Sequence, residues 1–265
     1  MTAWDRLNIA RSSTRPTALD YINIIFDDFI ELHGDRFSKD DLATVCGIGT
    51  INGKAFSIIA QQKGRNTKEN IERNFGMPNP ESYRKGIRIM KQAEKFGRPI
   101  ITFVDTKGAY PGIEAEEKGQ GEAIARSMME MSRLKVPVIV VVIGEGSSGG
   151  ALAISIGNKI LMLENAVYSI LSPEGYASIL WKDGTKAKEA TEIMKLTAQD
   201  LYEFNIVDTI IKEPLGGAEK DINLVSKNLK EEILKETKAL EEKSEQELID
   251  ERYEKFRKIG NYIQK

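Results

Sequence analysis

Cysteine and histidine are nearly absent from this chain of 265 residues, where Cys46 and His33 each stand alone. A single cysteine excludes an intrachain disulfide and suits a reducing compartment, so a cytoplasmic setting is expected. A tetrahedral zinc site of cysteine and histidine is equally excluded, because such sites take about four ligands. No metal is therefore expected in this chain. A serine triad built on histidine would have to use His33, which falls in a segment that reads as helical. Long hydrophobic runs are lacking too. The longest, residues 136–143, contains Pro137 and is far shorter than the roughly 20 residues that cross a bilayer, so it reads as a buried strand. Charge of one sign is also missing. With 38 basic and 40 acidic residues the net charge is -2, which gives no whole-chain field for nucleic acid or an anionic membrane. Residues 1–10 carry charges and no apolar stretch, so no secretory signal is expected there.

What is present is a chain that is 41% hydrophobic, enough for one large domain, with no linker and no fixed-period repeat dividing it. Leu19, Ile22, Phe26, Phe29 and Ile30 form a stripe that predicts a helix over 17–32, capped by Thr17 and ended by Gly34. Runs 43–51 and 54–61 flank Asn52-Gly53, a dipeptide that accepts the positive φ angles of a tight turn, and predict a hairpin. Residues 63–80 read as a polar, basic loop and 81–96 as a helix. Then strand, glycine-bearing loop and helix recur: 99–104, 105–112 and 114–134, followed by 137–143, 144–147 and 148–156. Short strands are expected at 159–163 and 167–171. Such alternation implies an α/β protein with parallel crossovers. Near the end, Leu224, Val225, Leu229, Ile233 and Leu234 fall at helical intervals, and Leu248, Ile249, Phe256 and Ile263 suggest a second amphipathic helix. Both read as a helical cap over the core or as a subunit contact.

The chemistry concentrates in DTKGAYPG (residues 105–112) and GEGSSGG (residues 144–150), each placed between a strand and a helix. Amides at a helix start lack intrahelical partners, and the helix dipole there favours negative charge. Glycine lets a substrate oxygen approach the backbone without a Cβ in the way. Two such loops on neighbouring strands would aim amides at one oxyanion. The other reading, that these glycines only permit tight turns and close helix packing, stands beside it. The second loop matches neither a Walker loop nor a dinucleotide fingerprint, and no lysine follows Gly150. Neither loop holds a histidine, and nothing marks Asp105, Glu114 or Glu145 as a base. An enolate-forming enzyme still has to remove a proton. If a cofactor supplies that base, the chain is left with positioning and amide dipoles.

At these residues the chain resembles a known family. RPTALDYI from Arg15, DFIELHGDR from Asp28, QKGRNTKENIERNFGMPNPE from Gln62 and ITFVDTKGAYPGIEAEEKGQGEAIAR from Ile101 carry the likeness. VIGEGSSGGALAI from Val142, ILSPEGYASILW from Ile170, KLTAQDL from Lys195 and EPLGGA from Glu213 continue it. Together they span about residues 14–218 and resemble the α subunits of bacterial-type acetyl-CoA carboxyltransferases, in the crotonase-like superfamily.

That resemblance implies a crotonase-like (ClpP/crotonase) spiral of ββα units, not a doubly wound Rossmann sheet. One carboxyltransferase domain would cover 1–265, with its core over about 35–218, a helical segment at 1–34 and helices at 219–265. The implied activity is transfer of a carboxyl group from carboxybiotin to acetyl-CoA, giving malonyl-CoA for fatty acid synthesis. The biotin is carried on the biotin carboxyl carrier protein and not on this chain. Implied partners are a β subunit bearing a zinc ribbon, in an α2β2 assembly, and biotin carboxylase in the full complex. The α subunit would offer the biotin side of a shared site. Carried over residue by residue, the amides of Gly149 and Gly150 would hold the ureido oxygen of biotin, with Gly108 and Ala109 as the next candidates. Tyr110, Pro111, Gly146 and Ser148 would shape the pocket. Lys63 and Arg65, with Lys68 and Arg73, would contact CoA phosphates or the partner, or form a solvated loop.

Three positions depart from the family pattern: Lys107 replaces a usual proline, Ser147 a usual glycine and Glu114 a common glycine. The chain is also expected to lack the long N-terminal extension of some relatives. A non-catalytic assembly subunit, a self-sufficient crotonase-type hydratase or hydrolase, and a carboxyltransferase for propionyl-CoA are the competing readings.

Overall fold

A computed structural model describes residues 1–260, which leaves Ile263 of the expected last helix outside the described residues. The first half of the chain builds α1 (Ala3–Ala10), α2 (Ala18–Ile25), β1 (Asp28–Glu31), β2 (Thr44–Ile51), β3 (Lys54–Gln61), α3 (Thr67–Glu72) and α4 (Pro80–Lys95). It continues with β4 (Ile100–Thr106), α5 (Ile113–Glu117), α6 (Gln120–Arg133), β5 (Val138–Ser147) and α7 (Ser148–Leu152). Then come β6 (Lys159–Leu163), β7 (Val167–Ser169), α8 (Pro173–Trp181), α9 (Ala187–Ile193), α10 (Ala198–Glu203) and β8 (Thr209–Ile211). The long helices α11 (Ile222–Glu241) and α12 (Glu245–Lys258) follow.

The described strands form one mixed sheet in the order β1-β2-β3-β4-β5-β6-β8. β1, β2 and β3 pair antiparallel, and every later pairing is parallel. Asn52 and Gly53 both take positive φ, as the hairpin turn requires. β4 and β5 are buried along their whole length, which explains their unbroken apolar runs. β5 also has two neighbours on one side. Residues Ile139 to Val142 pair with β6, while Glu145 to Ser147 pair with β7. The chain thus turns out of the first layer at the end of β5, beside the second glycine loop.

Helices cover both faces. α4 contributes Ile89, Met90 and Ala93 to the core, and α11 contributes Val225, Leu229, Ile233 and Leu240, while Leu224 stays exposed. α12 is fixed by Arg252, which is fully buried and donates to the carbonyls of Met131 (2.9 Å) and Leu134 (2.9 Å) and to Asn158 Oδ1 (2.7 Å). A cation at the carboxyl end of α6 meets the negative end of the helix dipole. Burial pushes the Arg252 guanidinium down to about 10. Among the described residues no helix is long and apolar enough to cross a membrane.

Several local expectations change. The helix expected over 17–32 stops at Ile25, and residues 28–31 pair with β2 as strand β1. His33 consequently lies outside any helix, exposed, with Nδ1 2.8 Å from Asp40. The basic loop at 63–80 contains α3, and the helix expected over 114–134 divides at Gly119, which is left-handed. Residues 144–147 are the end of β5 and not a loop, because β7 supplies them with a partner. The helix after them is short and ends at Leu152.

Candidate active site

Both glycine loops leave the carboxyl ends of adjacent parallel strands, β4 and β5, where ligands bind in sheets of this kind. The first is tied down from within. Thr106 Oγ1 donates to the Gly76 carbonyl (2.6 Å), the Gly108 amide donates to Thr106 Oγ1 (3.1 Å), and the Tyr110 amide donates to Pro78 O (3.0 Å). Gln120 Nε2 donates to the carbonyls of Tyr110 (2.8 Å) and Pro78 (3.0 Å). The second loop packs directly on the first. A Cβ added to Gly150 would sit 2.3 Å from Ala109 N and 2.6 Å from the Gly108 carbonyl carbon. Only glycine permits that approach of two backbones.

Ser148 opens α7 with φ +57, a left-handed conformation that costs a residue bearing a Cβ roughly 1–2 kcal/mol. Ser147, where glycine is usual, has an ordinary extended backbone that tolerates its side chain. The strain falls one residue later. Because the chain bends so sharply, neither the Gly149 nor the Gly150 amide donates to any acceptor outside α7 among the described residues. As second and third residues of that helix they have no partner within it either.

Two hollows flank the end of β5. An apolar groove of about 440 Å³ is bounded by Ser148 and Gly149, by Tyr168 and Ile170, and by Leu201 and Phe256. A polar cleft of about 540 Å³ is bounded by Arg11, Lys63, Asp105, Lys107, Glu145 and Glu174, among others. Gly150 is buried and borders neither, while Gly149 is half-buried at the rim of the groove.

The polar cleft is crowded with paired charge. Arg11 grips buried Glu145 through Nε (3.0 Å) and Nη2 (2.6 Å) and reaches Glu174 at 2.7 Å. The Arg11 hydrogen bond, the largest influence on Glu174, lowers the pKa of that carboxyl. Lys63 Nζ lies 2.5 Å from Asp105 and Arg65 lies 2.6 Å from Asp20. Behind them Arg15 donates to the Ile143 carbonyl (2.8 Å) and makes a two-pronged pair with Glu213 at 3.0 and 2.8 Å. Burial works against both ions, yet the pair outweighs it: Arg15 ends raised and Glu213 lowered. Breaking such a buried pair by removing one partner costs about 3–5 kcal/mol, because the other charge is stranded. Lys107 is exposed and pairs with no carboxylate among the described residues. Cys46 is fully buried, and burial pushes its thiol up to about 12, which removes it from any nucleophilic role.

The acetyl co-enzyme A carboxylase carboxyltransferase-like family profile matches residues 1–260. The chain belongs to this family. The acetyl-coenzyme A carboxylase carboxyl transferase subunit alpha of Clostridium acetobutylicum is 59% identical over 264 residues, covering 100% of this chain and 96% of that protein. The protein of the same name from Staphylococcus carnosus is 60% identical over 259 residues, covering 98% and 82%. Among solved structures, transcarboxylase 12S with methylmalonyl-coenzyme A and methylmalonic acid bound superposes with a TM-score of 0.72 at 18% identity. The match covers 91% of this chain and 45% of that one. The β subunit of geranyl-CoA carboxylase from P. aeruginosa gives 0.67 at 15% identity, covering 92% and 46%. The α/β fold is thus the crotonase-like one of carboxyltransferases, and carboxyl transfer is the activity of the family to which the chain belongs.

Within this carboxyltransferase, Gly108, Ala109, Gly149 and Gly150 are brought together, with Tyr110 half-buried beside them. Pro111 is exposed. Gly146 faces Tyr168, whose ring lies 2.8 Å from where its Cβ would be. Lys63 and Arg65 border the polar cleft and not the groove, so they are separated from Gly149. Lys107 and Glu114, which depart from the family pattern, are both exposed and leave the loop packing undisturbed. Arg11 and Arg15 border the cleft, and Glu213 holds Arg15 from behind it. The sequence signal was present for Arg15 and Glu213, which open the RPTALDYI and EPLGGA segments, but no local pattern marks their pairing across 198 residues.

Proposed function

We propose that this chain is the biotin-side half of an acetyl-CoA carboxyltransferase site, moving a carboxyl group from carboxybiotin to acetyl-CoA to make malonyl-CoA for fatty acid synthesis. One observation carries the reading: the Gly149 amide, without a partner among the described residues, stands where the apolar groove begins, with the Gly150 amide buried behind it. The groove suits biotin. Leu152, Tyr168 and Ile170 offer apolar walls to its thiophane ring and arm, and the amides offer donors to its ureido oxygen. When bound, this cofactor supplies the carboxyl group and a ureido nitrogen basic enough to take the acetyl methyl proton.

The chain's own groups hold and stabilise. The Gly149 amide donates to the oxygen on which charge develops, with the Gly150 amide behind it. Strain at Ser148 keeps both donors from closing onto the protein. The apolar walls exclude water, which strengthens those hydrogen bonds. Lys107, which pairs with no carboxylate among the described residues, is the cation at the polar cleft best placed to meet an anionic group such as a CoA phosphate. Lys63 and Arg65 are already paired with carboxylates.

The relatives named as subunit alpha support a multi-subunit acetyl-CoA carboxylase. We assign the rest of the site to a β subunit with a zinc ribbon, in an α2β2 assembly served by the biotin carrier protein and biotin carboxylase. The chain would act there as one cytoplasmic carboxyltransferase domain. Reconstitution tests this. Malonyl-CoA is expected only when the chain, the β subunit, carboxylated carrier and acetyl-CoA are combined. Turnover of an enoyl-CoA or acyl-CoA thioester by the isolated chain would contradict the proposal.

A further inference from the structure

Gln61 ends β3 and is fully buried, yet its side chain is polar and both ends of its carboxamide are engaged. Nε2 donates to the Gly150 carbonyl at 2.7 Å, and Oε1 accepts from the Asp105 amide at 3.1 Å. One side chain therefore touches the start of the first glycine loop and the end of the second. The site for such a bridge is dictated by the sheet. β4 and β5 run in register up to Val104 opposite Val142, and the register then shifts so that Thr106 faces Gly146. Asp105 sits opposite that irregularity, and its amide turns toward β3, whose last residue is Gln61. The Gln61 side chain accepts from that amide at the end of β3 and turns its other end to Gly150. Asp105 in turn accepts from the Glu145 amide at 2.9 Å and pairs with Lys63.

We infer that Gln61 is a positioning residue for carboxyl transfer, fixing the height of the Gly149–Gly150 turn over the first loop and so the direction of its free amides. The inference rests on the amide reading above. Gln61 borders neither hollow and touches no substrate. It acts only through the Gly150 peptide. The Gly150 carbonyl shares its plane with the Ala151 amide, so Gln61 holds the middle of the five-residue α7, and releasing it lets that short helix shift together with the Gly149 and Gly150 amides in its first turn.

The test uses the reconstituted complex with carboxylated carrier. Gln61→Met keeps length and removes both hydrogen bonds. Its kcat for malonyl-CoA is expected to fall about 10- to 100-fold, the scale of an ångström-sized misplacement, while the KM for acetyl-CoA stays within about twofold. Gln61→Glu keeps the acceptor for Asp105 but donates to Gly150 only when protonated. Its kcat, relative to the unaltered complex, is expected to rise as pH is lowered. A Gln61→Met complex with kcat within about twofold of the unaltered one would overturn the inference. So would loss of folding or assembly in Gln61→Met together with a flat relative pH profile for Gln61→Glu, which would assign Gln61 to the fold alone. Gly149→Pro, which deletes an amide, runs alongside: if it stays fully active, the amide reading fails whatever Gln61 does. If it is inactive and Gln61→Met is not, only the inference about Gln61 fails.

Discussion

Valine at position 150 is expected to abolish malonyl-CoA formation and to lower the thermal stability of the chain together. Its Cβ alone would lie 2.3 Å from Ala109 N and 3.0 Å from Gly108 Cα, and these are backbone atoms that no rotamer change can move aside. The two loops must separate. Overpacking of this kind costs about 1–3 kcal/mol, and a displacement near 1 Å at the reacting centre costs about 10²-fold in rate. Gly150→Ala is expected to share both defects, since the collision begins at Cβ. The checks are a thermal melt of the chain and an assay of the complex. Full activity with an unchanged melt would show that the loops are not in contact as described. The result also divides the two readings of these glycines. At Gly150 the missing side chain serves loop-to-loop packing, and the site benefits indirectly.

Gly149 is the position where packing and chemistry separate, and Gly149→Pro carries the second large effect. A Cβ there would meet Ile124 Cγ2 at 3.5 Å, an ordinary contact, so size is not what the position forbids. Proline deletes the N–H, and loss of one oxyanion donor costs about 10²–10³ in kcat. Proline is otherwise tolerated in a first helical turn, where that N–H has no helical partner. The preceding residue is the weak point, because Ser148 is left-handed and a following proline disfavours that geometry. Joining the change to Ser148→Gly relaxes it. Gly149→Ala, which retains the amide, is expected to lose no more than a few-fold in kcat, on the scale of a sub-ångström adjustment. Equal activity in the alanine and proline variants would remove the Gly149 donor from the mechanism.

The elements that the sequence displays are those whose causes are local. The Asn52-Gly53 turn, the helix beginning at Pro80 and the strand at 159–163 follow from turn chemistry and periodicity within a few residues. β1 was hidden for the opposite reason. Phe26, Phe29 and Ile30 keep helical spacing, but β2 presents Gly47 and Gly49, and a Cβ on Gly47 would lie 2.3 Å from Ile30 O. Two glycines well removed in the chain let β1 lie close on β2, and that pairing overrides local preference. The end of β5 looks like loop in the sequence because its partner β7 arrives about twenty residues later. At the site, the glycine loops were legible because their residue types are unusual. The Gln61 bridge and the Arg11–Glu145 and Arg15–Glu213 pairs were not, since each depends on side chains meeting from elements distant in sequence.

The most direct measurement is a crystal structure of the assembled complex with a biotinylated substrate bound. The account predicts the ureido oxygen about 3 Å from the Gly149 amide nitrogen, within hydrogen-bond reach of a preorganised donor, with the ring against Tyr168 and Ile170. A ring seated instead in the polar cleft beside Lys107 and Glu145, with the Gly149 amide unused, would contradict it.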